Sequence, residues 1–330
     1  MNTAAIRRAA VVSALVVSAI SLAACSGADA STPAAGEDGL TPVKIGSIPV
    51  TDAAVLVLGD QQGFFEEEGL DAEFGNPAAG GSTVVAAVIA GEYQIGYSAT
   101  LSIFQAIEGG NDLTLIAGAS GSLSDPDLGS NDIITDPALG LKSAKDLEGK
   151  TVAVNAAGGF AEMLGKYSVL KAGGDPDEVQ WVQLGFPDQL PALQSGQIQA
   201  FVAGEPFGTL AREAGEVTLA NTLYDVSPTP WMLGVWFASS SAVDADPDLY
   251  ARIQAAIDKS LTYSVEHEDE LRAIIPDFAG IDPALADVIR LNNYDVATLT
   301  PGTLEPMVTA ATKVGLITDE PDLDALIWKP

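Results

Sequence analysis

Short runs of β-branched and other apolar residues alternate along the chain with stretches in which apolar residues recur every three or four positions. The first pattern is typical of buried strands, and the second is typical of helices that pack on them. This alternation predicts an α/β fold with largely parallel sheets. Strands are predicted at 43–48, 71–74, 93–97, 113–117, 133–134, 151–154, 179–184, 200–202 and 233–238.

Helices are predicted between these strands. One begins near Asp52, a second is capped by Ser82, and a third starts at Ser98 or Thr100. Later helices are predicted at 159–171, 190–194 and 207–214. Beyond residue 247 the chain is mostly helical, with apolar residues one turn apart at Leu249, Ile253, Ile257 and Leu261.

Two segments interrupt the alternation and predict a division into two lobes. Residues 120–131 are loop-like, and a Pro-Thr-Pro turn lies at 228–230, which places the two segments near 120–132 and 226–234. If the chain crosses between two lobes at these places, both segments form a hinge. The first lobe then comprises 42–125 and 232–330, and the second comprises 126–231.

The N-terminal residues predict export and a lipid anchor. Arg7 and Arg8 precede an apolar run, 9–24, that is shorter than the ~20 residues of a membrane-spanning helix. The run ends in Leu-Ala-Ala-Cys, which resembles a bacterial lipobox with Cys25 as the lipidated residue. We predict a signal peptide at 1–24 and a lipidated, flexible tether at 25–41, which makes the protein extracytoplasmic. The alternative is an ordinary signal peptide with an incidental cysteine.

The composition argues against several classes of protein. The chain has 45 acidic and 15 basic residues, a formal net charge of −30, which repels nucleic acid and anionic lipid headgroups. Cys25 is the only cysteine and His267 the only histidine, so neither a metal site nor a catalytic triad is predicted. Residues 158–166 only superficially resemble a phosphate-binding loop, because the glycine spacing is too long. We therefore predict a non-enzymatic protein without a cofactor or metal.

Small polar residues follow several predicted strands, at 49–52, 80–83, 98–100 and 155–159. Each segment alone can be an ordinary helix cap, but ligands of open α/β sheets bind at the carboxyl ends of strands. Asp52 either caps its helix or faces this cleft, where it would favour a ligand with an N–H or ammonium donor. The candidate ligand-binding residues are Thr51, Asp52, Gly81, Ser82, Thr83, Ser98, Thr100, Asn155, Gly158, Glu205 and Trp231.

The last two candidates carry their own alternatives. Glu205 either faces the hinge or simply precedes Pro206, which suits the first turn of a helix. Trp231, beside the proline turn, either stacks on a planar ligand or packs in the core, and Trp236 is assigned to the core.

Five stretches resemble the nitrate/sulfonate/taurine-type substrate-binding proteins, which are related to the pyrimidine-precursor domain of thiamine synthesis. They lie at 63–70, 89–96, 146–155, 192–201 and 205–207. The resemblance extends over nearly all of 43–320 and implies a type II periplasmic-binding-protein fold, with a ligand cleft between two hinged lobes. The chain departs from the family pattern at Gln199, where Asp is frequent, and at Gly204, where Trp is familiar.

The resemblance also implies a function. It predicts a monomeric solute-binding subunit that captures a small molecule and delivers it to an ABC permease and its ATPase. Two alternatives stay open: a membrane-anchored ligand sensor, and a pyrimidine-precursor synthase on the same fold. The ligand itself is left open among sulfonates, nitrate, pyrimidines, aromatic acids and amines.

Overall fold

The computed structural model describes residues 39–295 and 298–330. The predicted signal peptide, Cys25 and most of the predicted tether lie outside the described residues. Strand β1 (Thr41–Gly46) begins at the residue that the sequence places last in the tether. No helix within the described ranges is both long enough and apolar enough to cross a membrane.

Two five-stranded sheets organise the described chain. The first sheet has the order β2-β1-β3-β10-β4 and the second has the order β7-β6-β8-β5-β9. The strands of the first sheet are β1, β2 (Leu70–Phe74), β3 (Ile95–Ala99), β4 (Leu113–Gly121) and β10 (Met232–Ser239). Those of the second are β5 (Asp132–Thr135), β6 (Thr151–Val154), β7 (Gln180–Gln183), β8 (Ala200–Val202) and β9 (Val217–Asn221).

Each sheet is parallel except for one strand, which refines the prediction of largely parallel sheets. β10 runs antiparallel to β3 and β4, and β5 runs antiparallel to β8 and β9. Both exceptions are the first strand that the chain forms after it passes from one sheet to the other. The chain enters each sheet from the opposite end at these points, so those two strands reverse direction.

Helices cover both sheets and make the fold α/β, as predicted. The helices are α1 (Thr51–Gln61), α2 (Phe64–Glu67), α3 (Gly81–Ile89), α4 (Thr100–Glu108), α5 (Phe160–Lys171), α6 (Phe186–Gln194), α7 (Phe207–Glu213), α8 (Thr222–Val226), α9 (Ser240–Ala245), α10 (Pro247–Glu266), α11 (Glu268–Ala279), α12 (Pro301–Lys313) and α13 (Leu323–Leu326). Short 3₁₀ helices lie at Pro137–Leu139, Ala144–Leu147, Pro176–Glu178 and Pro283–Val288.

Some elements differ from the sequence prediction for local reasons. Helix α6 begins at Phe186, four residues before the predicted start, because Pro187 is compatible with a first turn and Pro191 is tolerated inside the helix. The short helix α2 lies where no helix is predicted from the sequence. Strand β9 and helix α8 were not predicted; β9 is exposed at its first two residues, so it lacks the apolar run of a buried strand.

The C-terminal part of the chain, from β10 onward, returns to the first sheet and covers it. The four apolar residues predicted on one face of α10 are buried, and α10 packs against α1 and α2. Helix α12 contacts α4 on the first-sheet side and α5 and α8 on the second-sheet side. It therefore spans the groove between the two sheets.

The chain passes between the sheets twice, from Gly121 to Asp132 and from Asn221 to Met232. Both passages overlap the segments in which the sequence predicts a hinge. The boundaries of the two lobes and the bending of these segments stay predictions.

The contact between α1 and α10 yields a stability prediction. A Cβ atom on Gly59 would lie 1.8 Å from the Ser260 hydroxyl oxygen and 2.5 Å from the Ser260 Cβ. We expect Gly59→Ala to lower the free energy of unfolding by about 1–3 kcal/mol, because overpacking forces tightly packed helices apart. Urea denaturation of the two proteins measures the difference.

Two further variants make this test specific. Gly302→Ala in α12 adds a methyl group with no atom within 4 Å and should leave stability nearly unchanged. Adding Ser260→Gly to the Gly59→Ala protein should recover part of the loss. Full stability of Gly59→Ala alone would contradict the close helix approach.

Candidate functional site

A cavity of about 80 Å³ lies between the carboxyl ends of strands from both sheets. The segments that follow β1 and β3 line it from the first sheet, and those that follow β6, β7 and β8 line it from the second. This is the position at which the sequence predicts a ligand cleft.

The cavity brings together most of the candidate residues. Its lining includes Thr51, Asp52, Gly81, Ser82, Ser98, Asn155, Gly158 and Glu205. That these residues bind a ligand stays a prediction.

Three candidates do not line the cavity. Thr83 is exposed on α3, and Thr100 is fully buried at the start of α4. Trp231 is 1% exposed; its indole N–H donates to the Leu223 carbonyl at 3.2 Å and its ring packs edge-on against Phe160. The structure therefore places Trp231 in the core behind Phe160, which itself lines the cavity.

The helices that start at the cavity have no side-chain caps. The N-cap residues of α1, α3, α4 and α5 are Val50, Gly80, Ala99 and Gly159, and none supplies a side-chain hydrogen bond. The predicted Ser82 cap is therefore wrong, because Ser82 is the second residue of α3, whereas α4 starts at Thr100, one of the two predicted positions. By contrast, α8, α10, α12 and α13 are capped by Asn221, Asp246, Thr300 and Asp322.

This difference has an electrostatic consequence. The first-turn N–H groups of a helix carry a partial positive charge and need acceptors. Four helices of nine residues or more direct such groups towards one cavity without supplying side-chain acceptors of their own. The cavity wall therefore offers backbone donors to an anionic or hydrogen-bond-accepting group.

Asp52 is the second residue of α1 and faces the cavity; Val50 is the N-cap. Its Oδ2 accepts a hydrogen bond from the Tyr97 hydroxyl at 2.8 Å, and the Asn292 amide donates to Oδ1 at 2.9 Å and to Oδ2 at 3.0 Å. Burial raises the pKa of the Asp52 carboxyl above its usual value, and the hydrogen bonds from Asn292 and Tyr97 oppose this rise.

Glu205 also lines the cavity, but it is paired. Its carboxylate forms an ion pair with Arg212 and accepts the Thr209 N–H at 3.1 Å, which satisfies the first turn of α7. Arg212 in turn contacts Asp132 at 3.2 Å, and Arg290 contacts the same Asp132 oxygen at 3.1 Å. Burial raises the pKa of the Glu205 carboxyl, and the charge of Arg212 opposes that effect.

The backbone of Gly158 is already engaged. Its N–H donates to Glu162 at 2.8 Å, and Glu162 is paired with Lys166 at 2.7 Å. Its carbonyl accepts the Gln105 amide at 2.9 Å. Gly158 therefore shapes the wall and joins the two sides of the cavity, while its own N–H is not available to a ligand.

Several lining residues are not among the residues predicted from the sequence, including Tyr97, Gln105, Phe186 and Asn292. Tyr97 could have been predicted from the sequence, because it directly precedes Ser98 at a predicted strand end. Asn292 carried no local signal: it lies 240 residues from Asp52 in the sequence and reaches the cavity only through the fold.

Possible metal ligands and the single histidine were considered outside the cavity as well. Within residues 39–295 and 298–330, no group of three or more His, Cys, Asp and Glu is arranged to hold a metal ion. His267 lies between α10 and α11, with 40% of its side chain exposed and its ring stacked on Tyr263 at a centroid distance of 3.9 Å. It is not a lining residue of the cavity.

The sequence model of a known family, NMT1/THI5 like, matches residues 50–271, well over half of the chain. The chain belongs to the NMT1/THI5-like family. No curated protein matches its sequence.

Solved structures resemble the NMT1/THI5-like protein in fold. The alkanesulfonate-binding protein SsuA from Xanthomonas axonopodis pv. citri, bound to MOPS, has a TM-score of 0.70 at 16% identity, over 91% of this chain and 99% of that one. The periplasmic nitrate-binding protein NrtA from Synechocystis PCC 6803 has a TM-score of 0.69 at 15% identity, over 87% and 86% of the two chains. The desulfurization enzyme DSZB has a TM-score of 0.63 at 14% identity, over 87% and 96%.

These similarities confirm the predicted fold. The NMT1/THI5-like protein has the two-lobed architecture of type II periplasmic binding proteins, with its cavity between two α/β sheets. At this level of sequence identity the likeness concerns the fold alone.

The hydrogen bonds to Asp52 generate a pH prediction. Because the folded-state pKa of Asp52 is raised, its ionisation lowers native stability as the pH rises through that pKa. Tyr97→Phe removes a donor to the ionised form and raises this pKa further. We expect it to lower the free energy of unfolding by about 1–3 kcal/mol near pH 8 and by less near pH 5.

Urea denaturation at both pH values checks this expectation. Tyr250→Phe is the matched control, because the Tyr250 hydroxyl donates at 3.3 Å to the Gln94 carbonyl and not to a carboxylate. Its loss should be the same at the two pH values. An equally pH-independent loss for Tyr97→Phe would contradict the role assigned to its hydroxyl.

Proposed function

We propose that this protein is the extracytoplasmic solute-binding subunit of an ABC import system. It captures a small solute between two lobes and presents it to a membrane permease that works with an ATPase. The observation that carries the proposal is the cavity at facing strand ends, walled by four uncapped helix starts. Such a cavity has the donors for binding a solute reversibly.

The sheets support the proposed division into lobes. All strands of the first sheet fall within 42–125 and 232–330 except for the first residue of β1, and all strands of the second fall within 126–231. Within residues 39–295 and 298–330, only two passages join the sheets directly, so a rotation of one sheet and its helices about them would open the cavity. In this proposal the segments near 120–132 and 226–234 are the hinge.

Closure is supported by contacts across the cavity. The Gln105 amide on α4 reaches the Gly158 carbonyl on the second-sheet side at 2.9 Å, and the Asn155 amide reaches the Ala79 carbonyl at 3.3 Å. These bonds form only when the two sides are close together. A solute that contacts both sides favours this closed state over an open one, and the closed state is the form that a permease recognises.

Binding is favoured over catalysis by the groups that reach the cavity. The fold alone does not decide, because the enzyme DSZB shares it. In the described part of the chain the cavity lining contains no Cys, His, Lys or Arg, and its ionisable side chains are Asp52, Tyr97 and Glu205. Two of these are held by hydrogen bonds to each other and the third by Arg212.

The test is a ligand screen followed by a measurement of shape. We expect at least one compound from a panel of sulfonates, nitrate, pyrimidines, aromatic acids and amino compounds to raise the melting temperature of the mature protein. The stabilising compound should also reduce the radius of gyration in small-angle X-ray scattering, at the mass of a monomer. Mass spectrometry of the recovered compound separates binding from turnover, because a binding protein returns its ligand unchanged.

A substitution of Gln105 tests whether ligand-induced compaction depends on its hydrogen bond across the cavity. Gln105→Ala should weaken binding of that compound by about 3- to 10-fold, because about one hydrogen bond of the closed state is lost. Asn111→Ala is the matched control: the Asn111 amide donates to the Ala106 carbonyl at 2.9 Å within one side of the cavity. Equal affinities of the Gln105→Ala and wild-type proteins would argue against closure through this contact.

We further propose that a lipid on Cys25 holds the protein on the outer face of the membrane. The support is the Leu-Ala-Ala-Cys sequence after a short apolar run, since a diacylated cysteine supplies the two chains that stable anchoring needs. Expression of the full chain in a bacterial host should give a membrane-associated protein. Cys25→Ser should release it from the membrane or leave it unprocessed.

Intact mass measurement decides between the two readings of Cys25. A lipid-anchored protein begins at Cys25 and carries the mass of its acyl groups. An ordinary signal peptide gives an unmodified, soluble mature chain, and the Cys25→Ser protein would then behave like the wild type.

A further inference from the structure

A third stretch of chain connects the two sides of the molecule. It comprises residues 283–293, which follow α11, and it is called the C-terminal strap below. Its 3₁₀ helix, Pro283–Val288, contacts α11 on the first-sheet side and α7 on the second-sheet side. The strap therefore lies where it can affect the position of one lobe relative to the other.

Several hydrogen bonds attach the strap to the first lobe. Arg272 on α11 donates through Nη1 to the Ala286 carbonyl at 3.0 Å and to the Ile289 carbonyl at 2.7 Å. Asn293 exchanges backbone hydrogen bonds of 2.8 and 2.9 Å with the last residue of β4. The side-chain amide of Asn292 donates to the cavity-lining carboxylate of α1. Because the strap is attached to three elements of the first lobe, we expect it to move with that lobe.

Arg290 is the charged residue with which the strap reaches the second lobe. Its Nη1 group contacts Oδ2 of Asp132 at 3.1 Å and donates to the Gly129 carbonyl at 3.2 Å. Asp132 is the first residue of β5 and is 1% exposed. A weaker contact lies nearby, where the Thr209 hydroxyl donates to the Val288 carbonyl at 3.4 Å. The Arg290 side chain is 26% exposed, so solvent screens its ion pair less than a pair on the open surface.

Asp132 has two arginine partners, which come from different lobes. Arg212 on α7 and Arg290 contact the same oxygen, Oδ2, and the Thr218 hydroxyl also donates to it at 3.0 Å. The other oxygen, Oδ1, is buried without a hydrogen-bond partner among the described residues. Removal of a cation from a buried carboxylate is unfavourable. Since Arg212 belongs to the same lobe as Asp132, only the pairing with Arg290 depends on how the two lobes are placed.

We propose that the C-terminal strap is an interlobe latch, in which the ion pair between Arg290 and Asp132 holds the two lobes in the closed arrangement. This inference rests on the lobe closure of the proposed function. If the strap moves with the first lobe and Asp132 with the second, rotation about the two passages lengthens the 3.1 Å contact. The ion pair is lost once its nitrogen and oxygen are more than about 4 Å apart. It therefore stabilises the closed state more than an open one.

Such a latch affects binding without touching the solute. Arg290 is not a lining residue of the cavity. A solute that requires the closed state binds with an apparent affinity that follows the population of that state. Loss of the ion pair should therefore weaken the binding of all solutes by the same factor, whereas loss of a lining residue affects different solutes to different degrees.

The first measurement needs no ligand. Cys25 is the only cysteine, so a Cys25→Ser chain accepts spin labels solely at introduced positions. Ala86→Cys on α3 and Gln194→Cys on α6 provide one exposed position on each lobe. Arg290→Met removes the charge and keeps much of the apolar stem. We expect it to shift the distance distribution between the labels, measured by pulsed electron paramagnetic resonance, towards longer distances.

Two further variants make this measurement specific. Arg252→Met is the matched control, because Arg252 donates to the carbonyls of Glu68 and Gly69 within the first lobe and should leave the distribution unchanged. Arg272→Met detaches the strap from α11 and leaves Asp132 with both of its arginines. It should shift the distribution in the same direction as Arg290→Met, and it provides the test if Arg290→Met does not fold.

The second measurement is the affinity for each sulfonate, pyrimidine or nitrate salt of the screening panel that raises the melting temperature of the wild-type protein. Arg290→Met should weaken the binding of each by about 3- to 10-fold, the contribution of one partly exposed ion pair. The factor should be the same for all of them, and Arg252→Met should bind each as the wild type does.

The outcomes separate the latch from the proposed function. Distance distributions and affinities that are unchanged in Arg290→Met overturn the latch, and so does a loss of affinity that differs from one solute to the next. If solutes still bind with compaction in that case, the binding function stands and only the latch fails. If no solute binds but the distances lengthen in Arg290→Met and not in Arg252→Met, the latch stands and the binding function fails.

Discussion

Buried carboxylates constrain this structure more than any other kind of group. Asp52, Asp132 and Glu205 are each at most 5% exposed, and burial raises the pKa of all three. Asp132 and Glu205 are stabilised by arginines, which ties β5, α7 and the C-terminal segment together. Asp52 is stabilised by neutral donors only. An arginine pair compensates the charge of a buried carboxylate directly, whereas neutral donors compensate the charge of Asp52 only in part.

The segment around Arg290–Asn293 contacts both an arginine-paired carboxylate and Asp52. Arg290 bonds to Asp132 and to the Gly129 carbonyl, both at the second-sheet end of the first passage. Two residues later, Asn292 bonds to Asp52 at the start of α1, and Asn293 pairs with Gly121 at the end of β4 through backbone bonds of 2.8 and 2.9 Å. A third stretch of chain thus lies alongside the first passage and touches both that passage and the cavity.

The strand and helix order could be predicted from the sequence because burial follows short-range patterns. The spacing on α10 and the apolar strands of both sheets are examples. The helix starts at the cavity could not be predicted in detail. Ser82 and Thr100 have the chemistry of N-caps, yet Gly80 and Ala99 occupy those positions. Capping preference assumes that a helix start must satisfy its own N–H groups, and that assumption fails where a ligand can supply the acceptor.

Two candidate residues line the cavity, but their polar groups already have partners within the protein. Glu205 and Gly158 lie on the cavity as predicted, but Arg212 and Glu162 occupy the groups through which each could bind a ligand. These partners lie four to seven residues away along the chain. The spacing of residues on one face of a helix could therefore have predicted both contacts from the sequence. The contact between Asn292 and Asp52 could not be predicted from local sequence, because only the return of the C-terminal segment brings the two residues together.

A fold that supports both binding proteins and an enzyme leaves function to the groups inside the cavity. A raised carboxyl pKa also suits a general base, so the pKa of Asp52 alone would not distinguish the two. The hydrogen bonds of Asp52 define its place in the fold instead: its donors come from a strand of the first sheet and from a segment that also contacts the first passage between the sheets. Asp52 therefore links the cavity wall to that passage, so any change in its hydrogen bonds acts on both.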